Sequence, residues 1–199
     1  MKYKQELSRQ LALDYCCNVE DILDNKNHFN VYEQRDGRRR FEEQDDCVLK
    51  VIVVNEKLIF TGKKEIVNIC KEKYETCSGV WFMDVARFRE LDTILKPYGY
   101  QLKTAHPFFL PEKSENRRSD GQKSACQDAL SGKENRAFEI KKYNHDEIQQ
   151  FKGKEQFNEA FCFDENSPDM LAVSAISKGK IIGMAGASAD STTFWQIGI

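Results

Sequence analysis

Thiols, imidazoles and clustered arginines are the side chains in this 199-residue chain that could hold a metal, attack a bond or grip a phosphate. The thiols are Cys16, Cys17, Cys47, Cys70, Cys77, Cys126 and Cys162, and the imidazoles His28, His106 and His145. A structural zinc site shows paired ligands at short spacing. No C-x-x-C pair occurs here and the histidines lie far apart, so no metal is expected. The cysteines are read as reduced, mostly buried thiols. Arg35, Arg38, Arg39 and Arg40 flank Asp36-Gly37 and have the planar fork that suits phosphate. Glu42, Glu43, Asp45 and Asp46 follow at once, so a solvated, self-paired loop is expected instead. The formal net charge of -2 gives no basic excess, and nucleic acid is not expected as a partner.

These side chains need elements to place them. Apolar residues make up 40% of the chain and charged residues 31%, ordinary values for a soluble globular protein. No stretch approaches the roughly 18–20 continuous apolar residues of a membrane span. The N-terminus runs straight into a charged pattern without a signal-peptide core. A cytoplasmic location and no membrane partner are the expectation.

Leu7, Leu11 and Tyr15 mark a helix over 4–17, and Asn18 with Asp21 marks the start of a short second one. A polar stretch covers 24–46. Residues 47–54 are dense in β-branched types and read as a strand, turning at Asn55-Glu56-Lys57 into a returning strand from Leu58 to Phe60. A helix follows over 63–75, with Ile66, Val67, Cys70 and Tyr74 on one side. After Gly79 comes the apolar segment Val80-Trp81-Phe82-Met83. Asp84 caps a helix over 85–96, with Val85, Phe88, Leu91 and Leu95 in phase, ended by Pro97 and Gly99. Residues 101–110 read as extended. Trp81, Phe108 and Phe109 are expected in the core rather than in a pocket. Residues 1–111 thus form one α+β domain.

Residues 112–136 are polar and read as a linker or long loop. Beyond them, residues 137–143 alternate with a period of two, with Phe138, Ile140 and Lys142 pointing one way. Asn144 caps a short helix reaching Phe151. Residues 155–163 carry Phe157, Ala160, Phe161 and Phe163 on a second short helix or turn. A strand over 170–176 passes through a hairpin at Ser177–Lys180, with Gly179 placed for positive φ. The next strand, 181–189, is rich in Gly and Ala, so something packs closely on it. A turn at 190–193 leads to a last strand, 194–199.

Strand, short helices, then a three-strand antiparallel meander is an order that resembles the N-terminal half of the GNAT superfamily of acyl-CoA-dependent N-acetyltransferases. The run K-I-I-G-M-A-G (180–186) and the run W-Q-I-G-I (195–199) carry the resemblance, which covers 137–199. Residues 1–111 resemble the N-terminal extension of some bacterial members. The resemblance implies an enzyme that moves an acetyl group from acetyl-CoA to a primary amine on a small molecule or peptide. It implies that Ile197, Gly198 and Ile199 line the pantetheine arm, and that Phe161, Trp195 and Gln196 face the acceptor. In the family, a loop of pattern [RQ]-x-x-G-x-[GA] follows the fourth strand and cradles the pyrophosphate on backbone N–H groups. No such loop is found: Gly183–Gly186 lies within a strand pattern, and the Gly37 run lacks a second glycine. The expectation is a chain that stops inside the domain, binds acetyl-CoA weakly or not at all, and is inactive alone. No catalytic base is assigned, since Gln196 cannot take a proton and Asp190 caps a turn. The alternative is a non-enzymatic binding or regulatory module that forms a homodimer through the edge strand 194–199.

Overall fold

The β-branched run and its turn do form a hairpin. Strands β2 (Leu49–Val54) and β3 (Lys57–Gly62) pair antiparallel, with Val51 opposite Phe60 and Ile52 opposite Ile59. A computed structural model describes residues 2–39, 46–105, 107–108 and 138–198, with helix α1 at Lys2–Asp14 and α2 at Val19–Leu23. Strand β1 (His28–Val31) lies inside the stretch expected to be merely polar, and pairs parallel to β3. Asn27 explains its placement. Its Oδ1 accepts the Leu58 N–H at 2.8 Å, and its Nδ2 donates to the carbonyls of Tyr74 (2.9 Å) and Cys77 (2.7 Å). The sheet order is β1-β3-β2, so β3 is central, and all six of its residues are buried.

The period of two along β3 sorts its side chains between two helical layers. Ile59 joins Leu11, Ala12, Tyr15, Cys17 and Ile22 from the α1–α2 side. Leu58 and Phe60 join Ile66, Cys70 and Tyr74 from α3 (Lys64–Tyr74), Leu91, Ile94 and Leu95 from α4 (Val85–Leu95), and Phe82 from the loop between them. The expected inner face of α3, Ile66, Val67, Cys70 and Tyr74, is buried throughout. Asp84 caps α4 by accepting the Arg87 N–H at 3.0 Å, and a 3-10 turn at Lys96–Tyr98 ends at Gly99 with φ 80°.

Three core expectations fail within residues 1–111. Trp81 is 84% exposed, and Phe82 takes the core position beside it. Val85 matches the apolar phase of α4 yet is 62% exposed, the buried residues of the helix being Leu91, Ile94 and Leu95. Phe108 is 51% exposed. Phe109 and the 112–136 stretch lie outside the described residues, and the described part of 101–108 contains no strand.

The arginine cluster is not a solvated loop. Asp14, at the end of α1, is fully buried and accepts from the Arg39 backbone N–H at 2.8 Å, from Arg39 Nε and from Gln10 Nε2 at 3.0 Å. Arg35 pairs with Glu33 and donates to the Ala12 carbonyl, which also accepts the Cys17 N–H, and to the Cys17 carbonyl just past the end of α1. Among the described residues the partners shown come from α1 and from Glu33; Arg40 and residues 41–45 are outside the described residues.

The second sheet has the order β4-β5-β6-β7. Strand β4 (Glu139–Asn144) pairs antiparallel with β5 (Asp169–Ser177), which pairs antiparallel with β6 (Lys180–Ala189); β7 is Trp195–Gly198. Lys178 and Gly179 turn the β5–β6 hairpin at φ 50° and 74°, the left-handed pair that a two-residue loop needs. Asn144 caps α5 (His145–Ile148) through the Glu147 N–H, and Glu147 returns a bond to the Asn144 N–H. Two 3-10 turns follow, Gln149–Phe151 and Glu155–Phe157. They cover one face of the sheet with a core of Tyr143, Ile148, Phe151, Phe157, Ala160, Phe161, Ala172 and Met184. The facing of β4 is therefore opposite to that expected: Tyr143 points inward, while Phe138 is 41% exposed.

By contacts the described residues form two compact units. One holds those up to Ala105 with Asp190–Trp195; the other holds the remainder to Ala189 with Gln196–Gly198.

Candidate functional site

The Gly- and Ala-rich strand does have something pressed onto it. A Cβ at Gly186 would lie 2.0 Å from the Ala160 carbonyl oxygen and 3.0 Å from a Phe161 ring carbon. A Cβ at Gly198 would lie 2.3 Å from the Glu159 carbonyl oxygen. The segment 159–161 thus crosses β6 and β7 at backbone contact, which only glycine permits. This fixes the facing of β7. Gly198 turns toward the covering segment, so Ile197 turns to the opposite face, where it is 71% exposed.

The residues expected to line a substrate separate accordingly. Phe161 is 5% exposed, and its ring stacks on Phe151 at 5.7 Å. Trp195 is 53% exposed, and Gln196 is exposed. Ile197 and Gly198 adjoin on β7, and Ile199 lies outside the described residues. Phe161 and Gly198 both belong to the covered face. Ile197 does not.

A hub that sequence reasoning missed is Asp169, the first residue of β5 and 2% exposed. Its carboxylate accepts the N–H groups of Cys162 (3.1 Å) and Phe163 (2.9 Å). Its carbonyl accepts from His145 Nδ1 at 2.8 Å. A carbonyl only accepts, so His145 Nδ1 is the donor in this contact. Cys162 Sγ sits 3.7 Å from Ser188 Oγ. Asp169 thus positions the loop that follows the covering segment. The one local signal is an acidic residue after Pro168, just before the strand expected over 170–176.

In the first unit, Asp21, Asp24 and His28 offer ligand atoms within 4.8 Å of one another. The buried Lys57 ammonium already serves this cluster: it donates to Asp24 Oδ1 at 3.0 Å, to the Asp24 carbonyl at 2.7 Å and to the Asp21 carbonyl. His28 Nε2 lies 3.0 Å from both Asp24 oxygens. A cation thus already occupies the position beside Asp24, so the geometry is that of a lysine clasp closing the C-terminal end of α2. Desolvation raises the Asp24 pKa, but the Lys26 N–H, His28 and Lys57 outweigh it and hold the carboxyl well below its usual range. A carboxyl depressed by folding contributes stability above its unfolded value of about 4, and loses it as pH falls through the lower folded value. The difference in urea midpoint between the wild type and Asp24→Asn is expected to be largest near neutrality and to shrink below about pH 4. A difference independent of pH would contradict this.

Of the described thiols, Cys16, Cys17, Cys47 and Cys70 are buried. Burial, with Asp21 nearby, pushes Cys17 up to about 12, and burial pushes Cys70 up to about 12. Both are inert as nucleophiles. An open cleft of about 460 Å³ is lined by Arg9, Leu13, Cys17, Val19 and Arg35 among others. Both arginines are engaged, Arg9 with Glu6 and Arg35 with Glu33.

No family model, no curated protein and no solved structure matches this chain. No helix among the described residues is long and apolar enough to cross a membrane.

Proposed function

We propose that the segment 138–198 is the acetyl-CoA-facing part of a GNAT-type N-acetyltransferase acting on a primary amine. The observation that carries this reading is the order β4, short helices, β5, β6, β7, with the helical segment lying at backbone contact on Gly186 and Gly198. The element order is the one on which the resemblance rests. β7 ends the sheet among the described residues, and Ile197 offers an apolar wall there. An edge strand with a free backbone side and apolar facing suits an amide-bearing pantetheine arm. Among the described residues no glycine-rich turn stands at a helix N-terminus to hold the pyrophosphate, so the reading assigns only the pantetheine wall. The thioester supplies an activated acyl carbon: the amine nitrogen bonds to it, the C–S bond breaks, and the amine proton must pass to a base.

The test uses the full chain. Saturating acetyl-CoA is expected to raise its melting temperature, by about 2.7 kcal/mol of stabilisation at a hundredfold excess over Kd. A panel of primary amines is expected to include one that triggers coenzyme A release. No shift and no acceptor-dependent release would overturn the reading.

A second reading is a non-catalytic module in which β7 takes a partner strand, a second copy of the chain being the simplest. The two sheet edges favour it by their contrast. β4 carries Glu139, Lys141 and Lys142, charges that discourage strand addition, whereas β7 carries exposed Trp195 and Ile197 and no charge. Light scattering that stays at monomer mass at high concentration would sink this reading.

A further inference from the structure

We propose that the loop Val80–Met83 and the exposed side of α4 form a docking surface for an anionic lipid bilayer. The loop is built to present apolar groups. Phe82 is 1% exposed, with its ring edge-on to Tyr74 at 5.3 Å and to Phe60 at 5.9 Å. Gly79 N–H donates to the Glu56 carbonyl at 2.7 Å, and Asp84 caps the helix that follows. Between these fixed points Val80, Trp81 and Met83 face outward, at 48%, 84% and 45% exposure, and Val85 follows at 62%. Trp81 sits at φ 60°, a left-handed conformation that costs a non-glycine residue about 1–2 kcal/mol. The fold sustains that cost while leaving the ring in solvent.

The adjoining helix supplies charge. The buried side of α4 is Leu91, Ile94 and Leu95. On the other side Val85, Arg89, Thr93 and Lys96 recur at three- and four-residue spacing and are all exposed. Arg89 and Lys96 make no ion pair among the described residues, whereas Arg87 and Lys73 converge on Glu90. The nearby acids are committed: Asp84 to the Arg87 N–H, Glu90 to Tyr74, Arg87 and Lys73, and Asp92 to the Leu102 N–H. A tryptophan-tipped apolar loop beside an unpaired cationic stripe is complementary to a headgroup layer: the ring sits at the interface and the cations meet phosphate. No membrane span is needed for this. A second copy fits less well. A standard interface takes about 20–30 residues a side, and the tip offers only Val80, Trp81, Met83 and Val85. Two such tips would also set Arg89 and Lys96 against their like.

This inference is independent of the acetyl-transfer reading, and its readout involves no coenzyme. The full chain is mixed with vesicles of phosphatidylcholine, with and without phosphatidylglycerol, and sedimented at low and high salt. Binding is expected to the anionic vesicles at low salt, with a blue shift of tryptophan emission that survives Trp195→Phe. Arg89→Gln with Lys96→Gln is expected to weaken partitioning by roughly 30-fold, at about 1 kcal/mol per cation. Trp81→Gly should fold at least as well as the wild type, since glycine takes this φ freely, and should lose the blue shift and most of the binding. Val85→Ser is a second probe of the apolar tip and is expected to weaken binding in the same direction. No sedimentation with anionic vesicles, or sedimentation that Trp81→Gly leaves unchanged, would overturn the proposal. So would polyuridylate binding that depends on Arg89 and Lys96 but not on Trp81.

Discussion

Replacing Gly186 by valine is expected to destabilise the β4–β7 unit by about 3 kcal/mol or more, at the upper end of what overpacking costs. The reason is specific. The nearest atom to the new Cβ is the Ala160 carbonyl oxygen, at 2.0 Å. It is backbone, so no flexible side-chain end can swing away. The Ala160 N–H is itself bonded to the Phe157 carbonyl, so moving the carbonyl means moving the turn that carries Phe157 and Phe161. Alanine at the same site should cost nearly as much, because the first carbon makes the clash. Gly183 supplies the control. It lies in the same strand, and a Cβ there would meet nothing within 4 Å, so Gly183→Ala should stay within about 0.5 kcal/mol of the wild type. Urea unfolding followed by near-ultraviolet circular dichroism compares the two. Equal midpoints for Gly186→Ala and Gly183→Ala would mean that the covering segment does not lie at backbone contact.

The second large effect is expected at Arg39. Arg39→Met leaves the fully buried Asp14 carboxylate with two neutral donors, the residue-39 backbone N–H and the Gln10 amide. Breaking one side of a buried ion pair costs about 3–5 kcal/mol. Replacing both partners by apolar residues is often neutral. Asp14→Leu with Arg39→Met should therefore recover much of what the single change loses. A double variant no better than the single would show that the polar network, rather than a stranded charge, sets the stability. The same pair explains why the arginine-rich segment is no phosphate grip: its most buried member is spent on the end of α1.

What the sequence made legible was local. The inner face of α3, the Asn144 capping box, the left-handed Gly179 and the close cover over the Gly-rich strand follow from rules that act within a few residues. The failures all needed a tertiary partner. Strand β1 carries only four residues amid polar neighbours, and its place is decided by Asn27 reaching Leu58, Tyr74 and Cys77. The facing of β4 alternates either way in sequence, and only the position of the helical layer selects Tyr143 over Phe138. Val80 to Met83 read as one apolar run, yet just Phe82 finds a pocket. At the candidate site, the glycines signalled close packing, but Asp169 joins residues 145, 162 and 163. Their adjacency is written in no spacing.

The central position of β3 has a kinetic consequence. Its partner β2 is two residues away through Asn55-Glu56, whereas His28 of β1 meets Ile59 31 positions later in the chain. A hairpin of the first kind closes in about 1–10 μs. The second pairing must close a much longer loop first and gains its contacts late. β2 and β3 are therefore expected to pair in the folding transition state, with β1 docking afterwards as a latch. Weakening the hairpin slows folding, while weakening the Asn27 anchor chiefly lets the native state open sooner.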